Sequence, residues 1–181
     1  MEEQKHFVRQ EFYPDGKIRV ELSFAPDGAQ DGPAKTYYQN GQLASEINYS
    51  ANRMEGPVKA YFEDGSLRAE FSYCENKRHG NYSSYYQDGQ VEVEANYEMG
   101  AVHGPYKTFY ENGKIREESV FENNMRAGQA LTFHENGQIE TDSLFEDGAV
   151  KSVKEFDPNG KPVNPKAKFS EVIRVKKGIN A

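Results

Sequence analysis

The chain is expected to be all-β, an elongated single-layer antiparallel sheet of about seven β-hairpin repeats, each about 24 residues long. Three observations predict it. An Asp-Gly or Asn-Gly dipeptide recurs with its glycine at Gly16, Gly41, Gly65, Gly89, Gly113, Gly137 and Gly160, at intervals of 25, 24, 24, 24, 24 and 23 residues. Paired aromatic residues precede these dipeptides, and a segment of alternating apolar and charged residues follows them. A period in this range marks an array whose units bury their surfaces only against neighbours, so function is to be sought on an extended surface.

Each element follows from local chemistry. The seven dipeptides read as hairpin turns, because Asn, Asp and Gly tolerate the positive φ that tight turns require. The strand before the turn ends in Phe12-Tyr13, Tyr37-Tyr38, Tyr61-Phe62, Tyr85-Tyr86, Phe109-Tyr110 and Phe133-His134. Neighbours in a strand point to opposite faces, so both faces receive rings. After the turn, Ile18, Leu43, Leu67, Val91, Ile115 and Ile139 stand two past the glycine and Phe24, Tyr49, Tyr73, Tyr97, Phe121 and Phe145 eight past it, with mostly apolar or small residues at the even positions between, as in Val91, Val93, Ala95 and Tyr97. The column five residues past the glycine reads Glu21, Glu46, Glu70, Glu94, Glu118 and Asp142. One face is therefore expected to be apolar and the other acidic. A two-residue loop would set Tyr110 across from Ile115 and Lys107 across from Glu118, with Lys35–Glu46 and Lys59–Glu70 in the same register; a three-residue loop with a bulge would shift that pairing by one. A second series, Gly32, Gly56, Gly80, Gly104 and Gly128, is expected to mark the connections between hairpins.

Composition limits the possibilities. Only 36% of the residues are hydrophobic and the mean hydropathy is −0.92, which suits a thin sheet better than a compact globule. Disorder is excluded by the 12 Tyr and 11 Phe, which fall in repeat columns. The net charge of −7 divides into −12 over residues 1–160, the array, and +5 over 161–181, a basic C-terminal cap or tail with a candidate capping strand through Phe169 to Val175. An acidic array repels nucleic-acid phosphate and anionic lipid, so nucleic acid is excluded as a partner and membrane binding is disfavoured. A single cysteine, Cys74, precludes an internal disulfide. The first residues hold no apolar run of signal-peptide type, which points to the cytoplasm, or to the periplasm if a leader was removed.

Catalytic chemistry finds little support. His79 and His103 occupy the same column one repeat apart, about 9.6 Å by strand spacing, too far to share a zinc ion. His6 is terminal and His134 stands where other repeats have Tyr or Phe. The glutamate ladder resembles paired carboxylates only superficially, since acid–base work needs one enclosed site with distinct pKa values. No Gly-Lys-Ser/Thr follows any glycine, so there is no phosphate loop. The expectation is a chain without enzymatic activity, metal or cofactor.

Recognition is expected where repeats differ. Ala44, Arg68, Glu92, Arg116 and Glu140 vary at one column, which straight alternation places on the non-core face beside Tyr37, Tyr61, Tyr85, Phe109 and Phe133. The partner-binding surface is expected to comprise Tyr37, Tyr61, Tyr85 and Phe109, the ladder Glu46, Glu70, Glu94 and Glu118, and Arg68 and Arg116.

The run Tyr-Tyr-x-Asn-Gly-x-Leu-x-x-Glu-x-x-Tyr from Tyr37 to Tyr49, with His79-Gly80-Asn81-Tyr82 and His103-Gly104-Pro105-Tyr106, resembles the MORN-repeat variant of bacterial proteins over about residues 8–160. Many such proteins are grouped as YwqK-like antitoxins. The resemblance implies hairpins in a single layer, no catalytic residues, and a binding role, most concretely an antitoxin or immunity protein that neutralises a cognate toxin as a monomer. A scaffold or oligomerisation module and a lipid-surface binder are the alternatives.

Overall fold

A computed structural model gives the structure of residues 6–163. The described residues fall into two compact units that divide between Ala101 and Val102. The first contains β1 (Phe7–Phe12), β2 (Ile18–Phe24), β3 (Gln30–Tyr37), β4 (Leu43–Ser50), β5 (Arg53–Tyr61), β6 (Leu67–Cys74), β7 (Lys77–Arg78), β8 (Gly80–Tyr85) and β9 (Val91–Glu98). They form an antiparallel sheet in chain order, with the short β7 pairing β6 beside β8. The second contains β10 (Ala101–Phe109), β11 (Ile115–Glu122), β12 (Met125–Phe133), β13 (Ile139–Glu146), β14 (Ala149–Phe156) and β15 (Pro162–Val163), again antiparallel and in chain order. No helix occurs among the described residues. The fold is all-β and each sheet is a single layer; the expected capping strand at Phe169 to Val175 lies outside the described residues.

The Asx-Gly turns are three-residue loops. In the fifth, the Gly113 amide donates to the Tyr110 carbonyl at 2.9 Å and the Tyr110 amide to the Lys114 carbonyl at 2.8 Å, with Gly113 at φ +77°. That is a type I turn closed by a glycine in the left-handed region, and the other six turns repeat it. Tyr110 therefore does not face Ile115; Phe109 does. Yet Lys107 still faces Glu118, because a bulge between Phe109–Ile115 and Thr108–Glu117 inserts Arg116 as an extra residue and restores the register. Lys35–Glu46 and Lys59–Glu70 are preserved by the same device in their own repeats.

The bulge also breaks the period-two count. Cross-strand partners project to the same face, so Ile115 belongs with Phe109, Lys107 and Glu118, whereas Glu117 and Ser119 belong with Thr108 and Tyr106. The column of Ile18, Leu43, Leu67, Val91, Ile115 and Ile139 thus lies opposite the aromatic row and not on the face of Phe121.

Connections between hairpins lie elsewhere than the second glycine series. They are two-residue turns at Ala51-Asn52, Glu75-Asn76, Met99-Gly100, Asn123-Asn124 and Asp147-Gly148, each with both residues at positive φ. Gly56, Gly104 and Gly128 sit inside β5, β10 and β12, and the positive φ of Gly56 falls where the β4–β5 pairing slips between Ile47–Val58 and Tyr49–Met54. These glycines serve bulges, where the chain must depart from extended geometry.

The buried residues are small. Among the described residues, Ala34, Val58, Ala60, Ala69, Ser84 and Ala95 in the first unit, and Thr108, Ser119, Ala130 and Ser143 in the second, are the buried positions, and no large side chain is fully buried. A single layer has no second layer to cover it, so a side chain is buried only by taller neighbours. Phe71, Tyr73, Tyr82 and Tyr97 supply that height around Ala69 and Ala95, with Phe71 and Tyr82 ring centroids 5.8 Å apart and Tyr82 and Tyr97 5.9 Å apart.

Candidate functional site

The first unit presents two chemically distinct faces. On one, Tyr37 faces Leu43, Lys35 faces Glu46, Tyr61 faces Leu67, Lys59 faces Glu70 and Tyr85 faces Val91. Tyr37 donates its hydroxyl to Glu21 at 2.6 Å, and Tyr85 donates to Glu70 at 2.8 Å. Two tyrosines of the row thus hold two carboxylates of the column in place. The Tyr37 phenol is pushed up to about 12 by its bond to Glu21 and by burial, and that bond, with one from Gln10, lowers the Glu21 carboxyl. Tyr85 is raised likewise by Glu70. Lys35 lies 3.3 Å from Glu46, with both groups more than a third exposed, so the pair contributes little to stability. In the second unit Phe109 and Glu118 share a face by register, and Lys107 meets Glu118 at 2.8 Å.

Arg68 and Arg116 leave this company. Each is the extra residue of a bulge, and the bulge turns it to the face of the small, buried column: Arg116 Nε donates to Thr108 Oγ1 at 3.2 Å, and Ser84 Oγ donates to Glu92 at 3.0 Å in the equivalent place. The expectation that this variable column lies beside the aromatic row is corrected accordingly.

On that second face the first unit has an open groove of about 690 Å³, walled by side chains from β4 to β9. Its floor is apolar, with Ile47, Val58, Ala60 and Phe71; Arg68, Arg78 and Glu92 are its charged residues. The Arg78 guanidinium lies 4.7 Å from the Phe71 ring centre, 5.6 Å from Tyr82 and 5.5 Å from Tyr97, and its Nη1 donates to the Tyr97 hydroxyl at 3.4 Å. No carboxylate within ion-pair distance faces Arg78 or Arg68 among the described residues. Aromatic rings hold the cation through their negative faces without neutralising it.

Sequence reasoning did not find Arg78, although its column holds another arginine, Arg126, two periods later. It also missed the bonds between successive hairpins. Tyrosines that end these pairs reach forward one repeat: Tyr13 donates to the Tyr37 carbonyl at 2.7 Å, Tyr38 to Tyr61 at 2.7 Å, and Tyr110 to Phe133 at 2.6 Å, whereas Phe62 has no hydroxyl to donate. His134 replaces the tyrosine with Nε2 set 2.9 Å from the Phe156 carbonyl, a bond that requires the proton on Nε2. Asn52, Asn76 and Asn124 reach backward, each accepting an amide proton of the preceding repeat at 2.7–2.8 Å. The signal for these was the 24-residue recurrence of tyrosine and asparagine. Cys74 closes β6, half-buried and paired in register with Lys77. Among the described residues, no three His, Cys, Asp or Glu side chains stand close enough to hold a metal ion.

The sequence profile of the MORN repeat variant matches six consecutive segments: residues 5–25, 30–51, 54–75, 78–99, 102–123 and 126–147. No curated protein sequence matches the chain. Among solved structures, a mutant of S. aureus TarM in complex with fondaparinux, alpha-GlcNAc-glycerol and UDP aligns at 19% identity and a TM-score of 0.35, over 53% of this chain and 19% of that one. A second TarM structure aligns at 19% identity and a TM-score of 0.33, over 52% and 20%. The chain thus spans about a fifth of the length of these structures.

Proposed function

The chain belongs to the MORN repeat variant family, and from that premise we propose that it is a non-enzymatic protein-binding array, in its most specific form an antitoxin or immunity protein that covers the active surface of a basic toxin. The observation that carries this reading is the tyrosine–glutamate face of the first unit. There Tyr37 and Tyr85 hold Glu21 and Glu70 by hydrogen bonds of 2.6 and 2.8 Å, so these two carboxylates are ordered before a partner arrives. Pre-ordering lowers the entropy cost of binding, and the net charge of −12 over residues 1–160 accelerates encounter with a basic surface. The repeated column provides breadth rather than one enclosed pocket, which suits occlusion better than catalysis.

The test is surface plasmon resonance between the chain and any basic protein encoded by an adjacent gene, at low and physiological salt. Binding is expected, with an association rate that falls as salt rises, because exposed charges are screened beyond about 8 Å at physiological ionic strength. Glu94→Lys is expected to slow association while the β signature in circular dichroism is retained. Unchanged rates in that variant would remove the acidic face from the interface.

A further inference from the structure

We propose that the groove of the first unit is a second binding site, of opposite polarity to the tyrosine–glutamate face, and that it receives an extended acidic segment of a partner protein. The proposal rests on the reading of the chain as a protein-binding array, but it concerns the other face and other residues.

Charge identifies the occupant. The chain is acidic overall, yet the groove's charged residues are Arg68, Arg78 and Glu92, a net positive set. Glu92 already accepts a bond from Ser84, whereas neither arginine meets a carboxylate among the described residues. A guanidinium above Phe71 and beside Tyr82 and Tyr97 keeps donors free that the rings cannot satisfy, and its fork matches a carboxylate. The same column in the second unit shows the completed arrangement: Arg126 packs 5.3 Å from the Phe121 ring centre and donates to Glu117 through Nε at 3.0 Å and Nη2 at 2.6 Å. In the first unit the position equivalent to Glu117 is Ala69, so the carboxylate is missing from the chain itself. A partner's carboxylate would occupy that place.

Shape identifies an extended segment. The wall runs across β4, β5, β6, β8 and β9, four inter-strand steps of about 4.8 Å, or about 19 Å, which accommodates about six extended residues. The apolar floor of Ile47, Val58 and Phe71 suits apolar side chains on the same face as the acidic ones, two residues apart in an extended segment.

The experiment uses the full chain and a fluorescein-labelled six-residue peptide, Glu-Ser-Leu-Ser-Glu-Ser, whose Glu and Leu side chains share one face when extended, with its Gln-for-Glu counterpart as control. Fluorescence anisotropy is expected to show the acidic peptide binding about tenfold more tightly than the control, the worth of a charge-assisted hydrogen bond. Arg78→Gln and Arg68→Gln should each weaken it by a similar factor, Arg78→Lys should retain part of the affinity, and Arg126→Gln, altered where the chain supplies its own carboxylate, should leave it unchanged. Circular dichroism of each variant separates lost binding from lost folding; if Arg78→Gln unfolds, Arg68→Gln and Arg78→Lys carry the test. Equal binding of both peptides, or acidic-peptide affinity indifferent to both arginines, would overturn the proposal. So would Arg78-dependent binding to phosphatidylserine vesicles without peptide binding, which would make the groove a lipid site. Glu94→Lys should not affect the peptide, so failure of the acidic-face reading and failure of this one are told apart.

Discussion

Arg78 in the first unit and Arg126 in the second occupy the same repeat column, pair in register with Tyr73 and Phe121, and rest against aromatic rings. They differ in their surroundings: Phe71 and Tyr82, which lie against Arg78, are replaced by Ser119 and Ala130 in the second unit, and the carboxylate partner differs as well. Arg126 is bound by Glu117, whose side chain is only 17% exposed, whereas Arg78 has Ala69 in that position. The rings do the packing in both units, and the carboxylate decides whether the cation is consumed by the fold or left for something else. One column of a repeat can thus be structural in one unit and available in another, with the same cross-strand register.

The largest expected effect breaks the second unit's half of the comparison. Glu117→Ala removes two charge-assisted bonds to Arg126 and should cost about 2 kcal/mol in urea denaturation. A cost near zero would mean that the pair is ornamental and that the two arginines are equivalent after all. Next is Arg78→Ala, which removes the cation from three rings but breaks no ion pair; about 1 kcal/mol is expected by the same measurement. A loss as large as that of Glu117→Ala would make Arg78 chiefly a structural residue.

The hairpin staples should show no such asymmetry. Tyr38→Phe in the first unit and Tyr110→Phe in the second each delete one bond to the next repeat's carbonyl, and each is expected to cost about 1 kcal/mol. Unequal costs would show that the repeats are not interchangeable even where their geometry is.

The smallest effects are in pH, and both report on the first unit. The Tyr37 hydroxyl ionises near 10 when unfolded and at about 12 when folded, so the stability it contributes is complete below pH 10 and is lost as pH rises toward 12. Tyr37→Phe should flatten that alkaline decline. Hydrogen bonds from Ser66 and Gln87 hold the Asp64 carboxyl at about 2, against an ordinary 3.8. Its contribution is present above the ordinary value and is lost as pH falls toward 2, so Asp64→Asn should make the midpoint of thermal unfolding less sensitive to acid.

Much of the fold was legible because it is local and repeated. Seven Asx-Gly dipeptides in phase specify turns, and the flanking apolar and charged columns specify strands and their order. The register of Lys107 with Glu118 was legible too, though through two irregularities that cancel rather than through a simple loop. The bulge at Arg116 was not, because nothing in its residue type distinguishes an extra residue from an alternating one. From that one unread residue came the misplacement of Arg68 and Arg116, and the assignment of the Ile115 column to the wrong face. The connections were misplaced for a related reason: Gly56 and Gly104 signal positive φ, but a bulge needs it as much as a turn does.

The amino-acid order alone settled the class of fold, the repeat length, the hairpin turns and the acidic balance, since each depends on residues close in the chain or on their sum. Which side chains share a face, and which charge lacks a partner, depends instead on cross-strand neighbours brought together across whole repeats. Arg78 illustrates it: Phe71, Tyr82 and Tyr97 reach it from β6, β8 and β9, and the position that holds Glu117 beside Arg126 is Ala69 here. Interstrand packing alone reveals that vacancy, because a carboxylate's worth to a guanidinium is set by distance and geometry and not by its presence elsewhere in the chain.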